Sequence, residues 1–227
     1  MCFSAEASLT AGMLLIGIGA ASVVQAPDRR SLPFAAIPLL FGFQQIAEGG
    51  VWLSLAAPDE ALQGCFATGY SLLALVLWPV FVPIAVYLIE PAGRRRDLIA
   101  ACAVIGILLA AVLLGGMITL PVGAAIQGAH IHYSSQHFDM LFNAGLFVPA
   151  ACAYVAATCL SLLLSGDRWI NAIGATMAAA FAVSYLFYEN WLVSVWCFFA
   201  AILSVLILTW AKRRGEALGL TPPVRTS

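Results

Sequence analysis

Charge is what this sequence lacks. Only 9% of its 227 residues are Asp, Glu, Lys or Arg, against about a quarter in an ordinary soluble domain. So few charges cannot cover a water-facing surface, whereas hydrocarbon needs no such cover. A hydrophobic share of 63% and a mean hydropathy of +0.98 point the same way, to an integral membrane protein. No Lys or Arg precedes Arg29, and Glu6 is acidic. The opening apolar run therefore lacks the basic region of a secretory signal and reads as a retained first helix. The single lysine, Lys212, lies near the C-terminus, which argues against a retinal protein with a buried lysine. A net charge of -1 leaves no basic face for nucleic acid. Paired cysteines are missing as well. The six, at 2, 65, 102, 152, 159 and 197, form no CxxC and no zinc-finger spacing. Those inside apolar stretches act as small hydrophobes.

What is present is a series of long apolar runs. A helix crossing the hydrocarbon needs roughly 20 such residues. Seven stretches qualify, over about 3–25, 33–56, 63–89, 98–120, 140–165, 169–188 and 191–211. Pro79 and Pro83, in "LWPVFVP", are expected to bend the third. The fold expected is all-α, a bundle of seven transmembrane helices filling residues 1–211. A polar tail over 212–227 is expected to be disordered.

Basic residues prefer cytoplasmic loops. Arg29 and Arg30 follow the first stretch, Arg94 to Arg96 the third and Arg168 the fifth. Lys212, Arg213, Arg214 and Arg225 follow the seventh, and the alternate loops hold none. The N-terminus is thus expected outside and the C-terminus in the cytoplasm, in a multi-pass protein of the plasma (inner) membrane. The arginine clusters read as topology signals and nothing more.

With sidedness assigned, the remaining ionisable groups gather at the outer end. Cys2 and Glu6 open the first stretch as "MCFSAE", at i, i+4 on one helix face. Glu48, in "FGFQQIAEGGVW", sits about 12 Å inside the second at 1.5 Å per residue. A mid-helix acid costs about 2.5–3.5 kcal/mol on insertion, so Glu48 should face protein or trapped water. All three histidines lie in "GAHIHYSSQH", with His130 and His132 spaced to point the same way if the segment is extended. Glu189 ends the sixth stretch. Imidazole with carboxylate suits a divalent transition metal, zinc first, with iron, manganese or copper as alternatives. The candidate ligands are Cys2, Glu6, Glu48, His130 and His132, with Glu48 and Glu189 as candidate catalytic carboxylates. The plain structural alternatives are a capped helix start at Ser4, an interhelical polar clamp at Glu48 and solvated loop histidines. A disulfide between Cys2 and Cys65, both expected outside, is a further alternative.

"MCFSA", "QQIAEGGVW", "LWPVFVP" and "GAHIHY" together resemble an uncharacterised family of bacterial multi-pass membrane proteins. That resemblance spans most of the chain and implies no activity. A looser architectural similarity is to the alkaline-ceramidase superfamily, whose members have seven helices and a zinc site of histidines, Asp and Ser. The histidine pattern that superfamily carries on its helices is absent here.

Three functions are consistent with these residues. The first is a metal-dependent hydrolase of a lipid or small amphiphile at the outer leaflet, with bound water activated by the metal and a glutamate as general base. The second is a non-enzymatic ligand-binding, sensory or accessory-subunit membrane protein. The third is an enzyme with an N-terminal cysteine nucleophile, which requires removal of Met1. A transporter fits less well, because polar groups do not continue through the midplane.

Overall fold

Apolar runs bounded by capping residues set the helices. The structure, a computed structural model, describes residues 4–56, 59–128, 130–187 and 192–217, and over 184–201 the backbone only. Helix α1 (Ala5–Val24) starts at Ser4, whose Oγ accepts the Ala7 N–H at 3.2 Å. A turn comes next, in which Asp28 Oδ1 accepts the Ser31 N–H at 2.8 Å. The chain then returns through α2 (Leu32–Ala35) and α3 (Ile37–Leu55). Asp59 caps α4 (Glu60–Ser71) by accepting the Leu62 N–H at 3.0 Å. A π-helical segment, Leu72–Leu77, joins α4 to α5 (Trp78–Ile89), and α6 (Arg94–Thr119) returns alongside.

An antiparallel hairpin comes after α6, with β1 (Gly123–Gln127) paired to β2 (His130–Ser134) from Gly123 opposite Ser134 to Gln127 opposite His130. Gly128 turns between them at φ 65°, a left-handed conformation that glycine takes at no steric cost. Beyond the hairpin lie α7 (Gln136–Asn143), α8 (Phe147–Val155), a second π segment over Ala156–Leu160 and α9 (Ser161–Leu163). Helices α10 (Arg168–Phe187) and α11 (Leu192–Ala217) complete the described chain.

Close packing depends on missing side chains. Helices α1 and α3 cross with Gly12 and Gly42 facing each other. A Cβ on Gly12 would lie 3.0 Å from the Gly42 carbonyl oxygen, and one on Gly42 2.9 Å from that of Gly12. Gly106 of α6 lets the Pro79 carbonyl of α5 approach its Cα. The core holds Phe41 stacked on Trp78 at 4.0 Å and Phe34 edge-on to Trp210 at 4.8 Å. The outer face of α6 is the opposite of a soluble surface. Leu108 and Ile118 stand 64% and 75% exposed, along with Val104, Ile107 and Val112. A continuous exposed apolar face of that kind belongs against lipid.

Among the described residues three helices are long and apolar enough to cross a membrane: Ala5–Val24, Glu60–Ile89 and Arg94–Thr119. Gln136–Asn143 with Phe147–Leu163 makes a fourth if that pair, bent by 103°, is taken as one span. The stretches expected over 33–56, 169–188 and 191–211 are not among them. The first carries Gln44, Gln45 and Glu48 in its middle, and the other two run into residues whose side chains lie outside the described set. The third stretch holds Pro79 and Pro83 within one span, Glu60–Ile89, with the π segment just before Pro79.

Three further expectations are corrected. The fold is mostly helical and not all-α, because residues 123–134 pair as a hairpin about Gly128. The fifth stretch does not begin at 140 as a straight helix, because Gly145 at φ 69° ends α7 and redirects the chain into α8. Residues 212–217, assigned to a disordered tail, extend α11, and Arg214 there is held by Asp167. Residues 218–227 lie outside the described set.

Candidate functional site

Helices that alternate in direction gather their loops at two ends. One end carries every described Lys and Arg, and the other carries none. The expected site residues belong to the arginine-poor end, and Glu48 is their centre. It lies on α3 at 0% exposure. Gln45 Nε2, three residues earlier on the same helix, donates to Glu48 Oε2 at 3.2 Å. Ser8 of α1 donates to the same oxygen over a longer 3.5 Å. One turn before Glu48, Gln44 Oε1 accepts the Trp78 indole N–H from α5 at 2.6 Å. Three helices therefore contribute polar groups to one buried patch.

The face of α3 that carries Glu48 also carries Gln45 and Trp52, at i-3 and i+4. Gln45 Oε1 is buried with no hydrogen-bond partner, and so is Trp52 Nε1. An acceptor and a donor thus flank the carboxylate on one helical stripe, each without a protein partner. Buried polar atoms are normally satisfied, and an exception of this kind is where a water or ligand belongs.

The hairpin lies against the same end. Ile131 is buried with Val51, Tyr70 and Ala74, and Ala47 and Trp52 pack beside them. The Tyr133 ring stacks on Tyr70 at 4.6 Å. His130 and His132 occupy alternate positions of β2 and so share one face of it. The extended conformation that the HxH spacing needs is therefore present. His130 is buried, and burial pushes its imidazole below the ordinary histidine pKa. That favours the neutral ring, the form able to bind a metal. His137 stands apart on α7, its ring against Gly116 of α6 and its Nε2 buried without a hydrogen-bond partner.

The other candidates divide. Glu6 is exposed. Ser8 is the residue of α1 that turns to Glu48, and two residues along a helix is about 200° of rotation, so Glu6 points away. Cys2 and Glu189 lie outside the described residues, as do Met1, Tyr188 and Trp191. Cys65 is a free, exposed thiol. Among the described residues no three His, Cys, Asp or Glu side chains come together as a metal-binding group.

The residues that sequence reading missed lie at the opposite end. Glu90 is buried at 7% exposure, where Ser165 Oγ donates to it at 2.8 Å and the Gly166 N–H at 3.0 Å. Asp167 Oδ2 accepts from Trp210 Nε1 at 2.9 Å and from Arg214 at 3.0 Å. Arg96 lies over the Tyr87 ring and Arg213 over Trp169. The arginines are thus built into the packing, and costly polar groups are not confined to one end. The available signal was acids placed inside basic loops, "IEPAGRRRD" and "SGDRW".

Neither the curated proteins nor the solved structures contain a match to this chain. One family model does match, over residues 1–220, and its description is a family of unknown function, DUF6629. With nearly the whole sequence covered, the chain belongs to that family.

Proposed function

We propose that this is a protein of the plasma membrane with seven crossings, its N-terminus outside, and that its arginine-poor end is an outward-facing ligand-binding site centred on Glu48. Two features support the topology: every described basic residue lies at one end, and exposed apolar side chains line α6. One observation carries the site. A fully buried carboxylate on a helix interior is flanked on its own face by an unbonded acceptor, Gln45 Oε1, and an unbonded donor, Trp52 Nε1.

The first occupant proposed is a divalent transition metal, zinc ahead of iron, manganese or copper. Glu48 and the imidazoles of His130 and His132 are donor types that zinc accepts, and the hairpin adjoins the helix of Glu48 through Ile131, with the two imidazoles on the other face of β2 from Ile131 and Tyr133. Among the described residues these three do not come together as a metal-binding group, and Cys2, outside the described residues, is the remaining candidate ligand. Glu6 is dropped because it faces away. Such a metal supplies Lewis acidity and activates water, and Glu48 or Glu189 would then hold or move the proton in hydrolysis of a lipid or small amphiphile.

The second reading is non-enzymatic binding of a small polar molecule, in a sensory protein or an accessory subunit. The free acceptor at Gln45 and the free donor at Trp52 favour it, since a small molecule carrying both a donor and an acceptor could engage the two at once.

Elemental analysis of detergent-purified protein separates the two. The wild type, His130→Ala/His132→Ala and Glu48→Gln would each be prepared without chelator and offered zinc, iron, manganese and copper. Near-stoichiometric metal in the wild type, lost in both variants, supports the metal site. Absence of metal from all three sinks it and leaves the hydrogen-bonded ligand.

A further inference from the structure

At the arginine-rich end the turn between α5 and α6, the turn between α9 and α10, and the last turns of α11 enclose a cavity of about 550 Å³. Its lining brings together Arg94 and Arg95 at the start of α6, Arg214 of α11, and the acids Glu90 and Asp167. Those acids are already engaged. Both Glu90 oxygens accept from the Gly166 N–H, and Oε2 also accepts from Ser165. Asp167 is bonded to Trp210, to Arg214 and, through Oδ1, to the Trp169 N–H. Asp167–Arg214 is the one ion pair among the described residues, so Arg94 and Arg95 line the cavity without an ion pair of their own, although Glu90 lies close to Arg95 across Gly166.

The backbone adds to this excess. Gly93, which has no side chain to cap a helix, precedes the 26-residue α6, whose first turn carries Asp97, and the cavity is lined by Gly93 and the first two residues of the helix. An uncapped start leaves N–H donors and the positive end of the helix dipole beside two guanidinium groups. Gly166, opposite, has no side chain where Arg95 Nη1 and Glu90 Oε1 converge. A Cβ there would lie 3.0 Å from the first and 3.1 Å from the second. The opening beside Arg95 is therefore kept clear by the sequence. Guanidinium forks and helix N–H groups together match the tetrahedral oxygens of a phosphate.

We propose that this cavity binds a phosphate-bearing anion, through Arg94, Arg95 and the N-terminus of α6. The same chemistry could come from an anionic lipid headgroup at that face of the bilayer or from a soluble phosphate. Basic pockets between membrane helices on the cytoplasmic side take lipid headgroups in this way. The inference does not depend on the occupant of the Glu48 site.

The test uses the full chain in neutral detergent, with thermal unfolding read against added ligand. Dioctanoyl phosphatidic acid, inorganic phosphate and dioctanoyl phosphatidylcholine are compared for wild type, Arg94→Gln/Arg95→Gln and Arg29→Gln/Arg30→Gln. Arg214 is left in place because it holds Asp167. Saturable stabilisation by phosphatidic acid, weakened roughly tenfold or more in the Arg94/Arg95 variant and kept in the Arg29/Arg30 variant, supports the site with a lipid source. The same dependence with inorganic phosphate alone supports it with a soluble source. Equal binding by all three proteins, or equal loss in both variants, overturns it, because the attraction would then be general to the basic end. Glu48→Gln should bind the anion as wild type does, which keeps this result separate from the metal experiment.

Discussion

The indole N–H of Trp78 donates to the side-chain oxygen of Gln44 at 2.6 Å, and Trp78 is the first residue after a π-helical segment. The extra residue in a π turn rotates the helix beyond it. Here the register brings the indole to Gln44 and keeps Trp78 stacked on Phe41. Such segments recur at functional sites because they re-aim side chains without ending the helix. Gln44, Gln45 and Glu48 are thus braced from a second helix.

Trp78→Phe should keep much of the stacking and remove the donor to Gln44. With a buried acceptor losing that bond, a loss of about 1–3 kcal/mol in stability is expected. Thermal unfolding in detergent measures it. A change indistinguishable from zero would mean the bond contributes nothing to holding α3 against α5.

The same π segment has a second brace. Tyr154 of α8 donates its hydroxyl to the Ala74 carbonyl at 2.7 Å, a group that sits where the helical ladder is interrupted. Tyr154→Phe should cost about 0.6–1.5 kcal/mol, the range for one hydrogen bond within a membrane bundle. Its signature is a lower unfolding temperature with unchanged helical content by circular dichroism.

Two glycines of α6 should respond oppositely. At Gly106 a Cβ would run into the Pro79 carbonyl, backbone that cannot step aside, whereas at Gly115 nothing lies within 4 Å. Gly106→Ala is expected to destabilise by about 1–3 kcal/mol. Gly115→Ala should be neutral or stabilise by up to about 1 kcal/mol, since alanine is the better helix former. Parallel unfolding curves of the two variants decide the matter, and equal behaviour would contradict the close α5–α6 contact.

His130 gives a pH dependence with a definite sign. Burial lowers its folded-state pKa below the ordinary histidine value of 6.5. As pH falls through 6.5 the unfolded chain takes up a proton while the folded chain does not, so stability declines until the folded imidazole is protonated too. Above 6.5 the contribution is complete. His130→Ala should therefore flatten the fall in unfolding temperature on acidification from about pH 7 to about pH 5, and an unchanged slope would show that another group is responsible.

Much of this was legible in the sequence because membrane helices are long and compositionally plain. The first and fourth stretches, read as 3–25 and 98–120, match Ala5–Val24 and Arg94–Thr119 within a few residues. The burial of Glu48 came from the cost of placing an acid in an apolar helix. The hairpin was missed because its strands are five residues each, too short to stand out beside helical runs. Its signal was Gly128 between "GAAIQ" and "HIHYS". The arginine-rich end was misread for a different reason. A residue that sets topology can also bond its neighbours, and charge counting alone does not reveal that Asp167 lies beside Arg214.

The hairpin also bears on biogenesis. Its apolar side packs on Val51 and Tyr70, which precede it in the chain, and Ser8, Gln45, Glu48 and Trp78 precede it as well. Once Ser134 has been synthesised, these residues already exist, while α8, α10 and α11 are still to come. The site can be laid down first during insertion, and α8, α10 and α11 then close onto a preformed half.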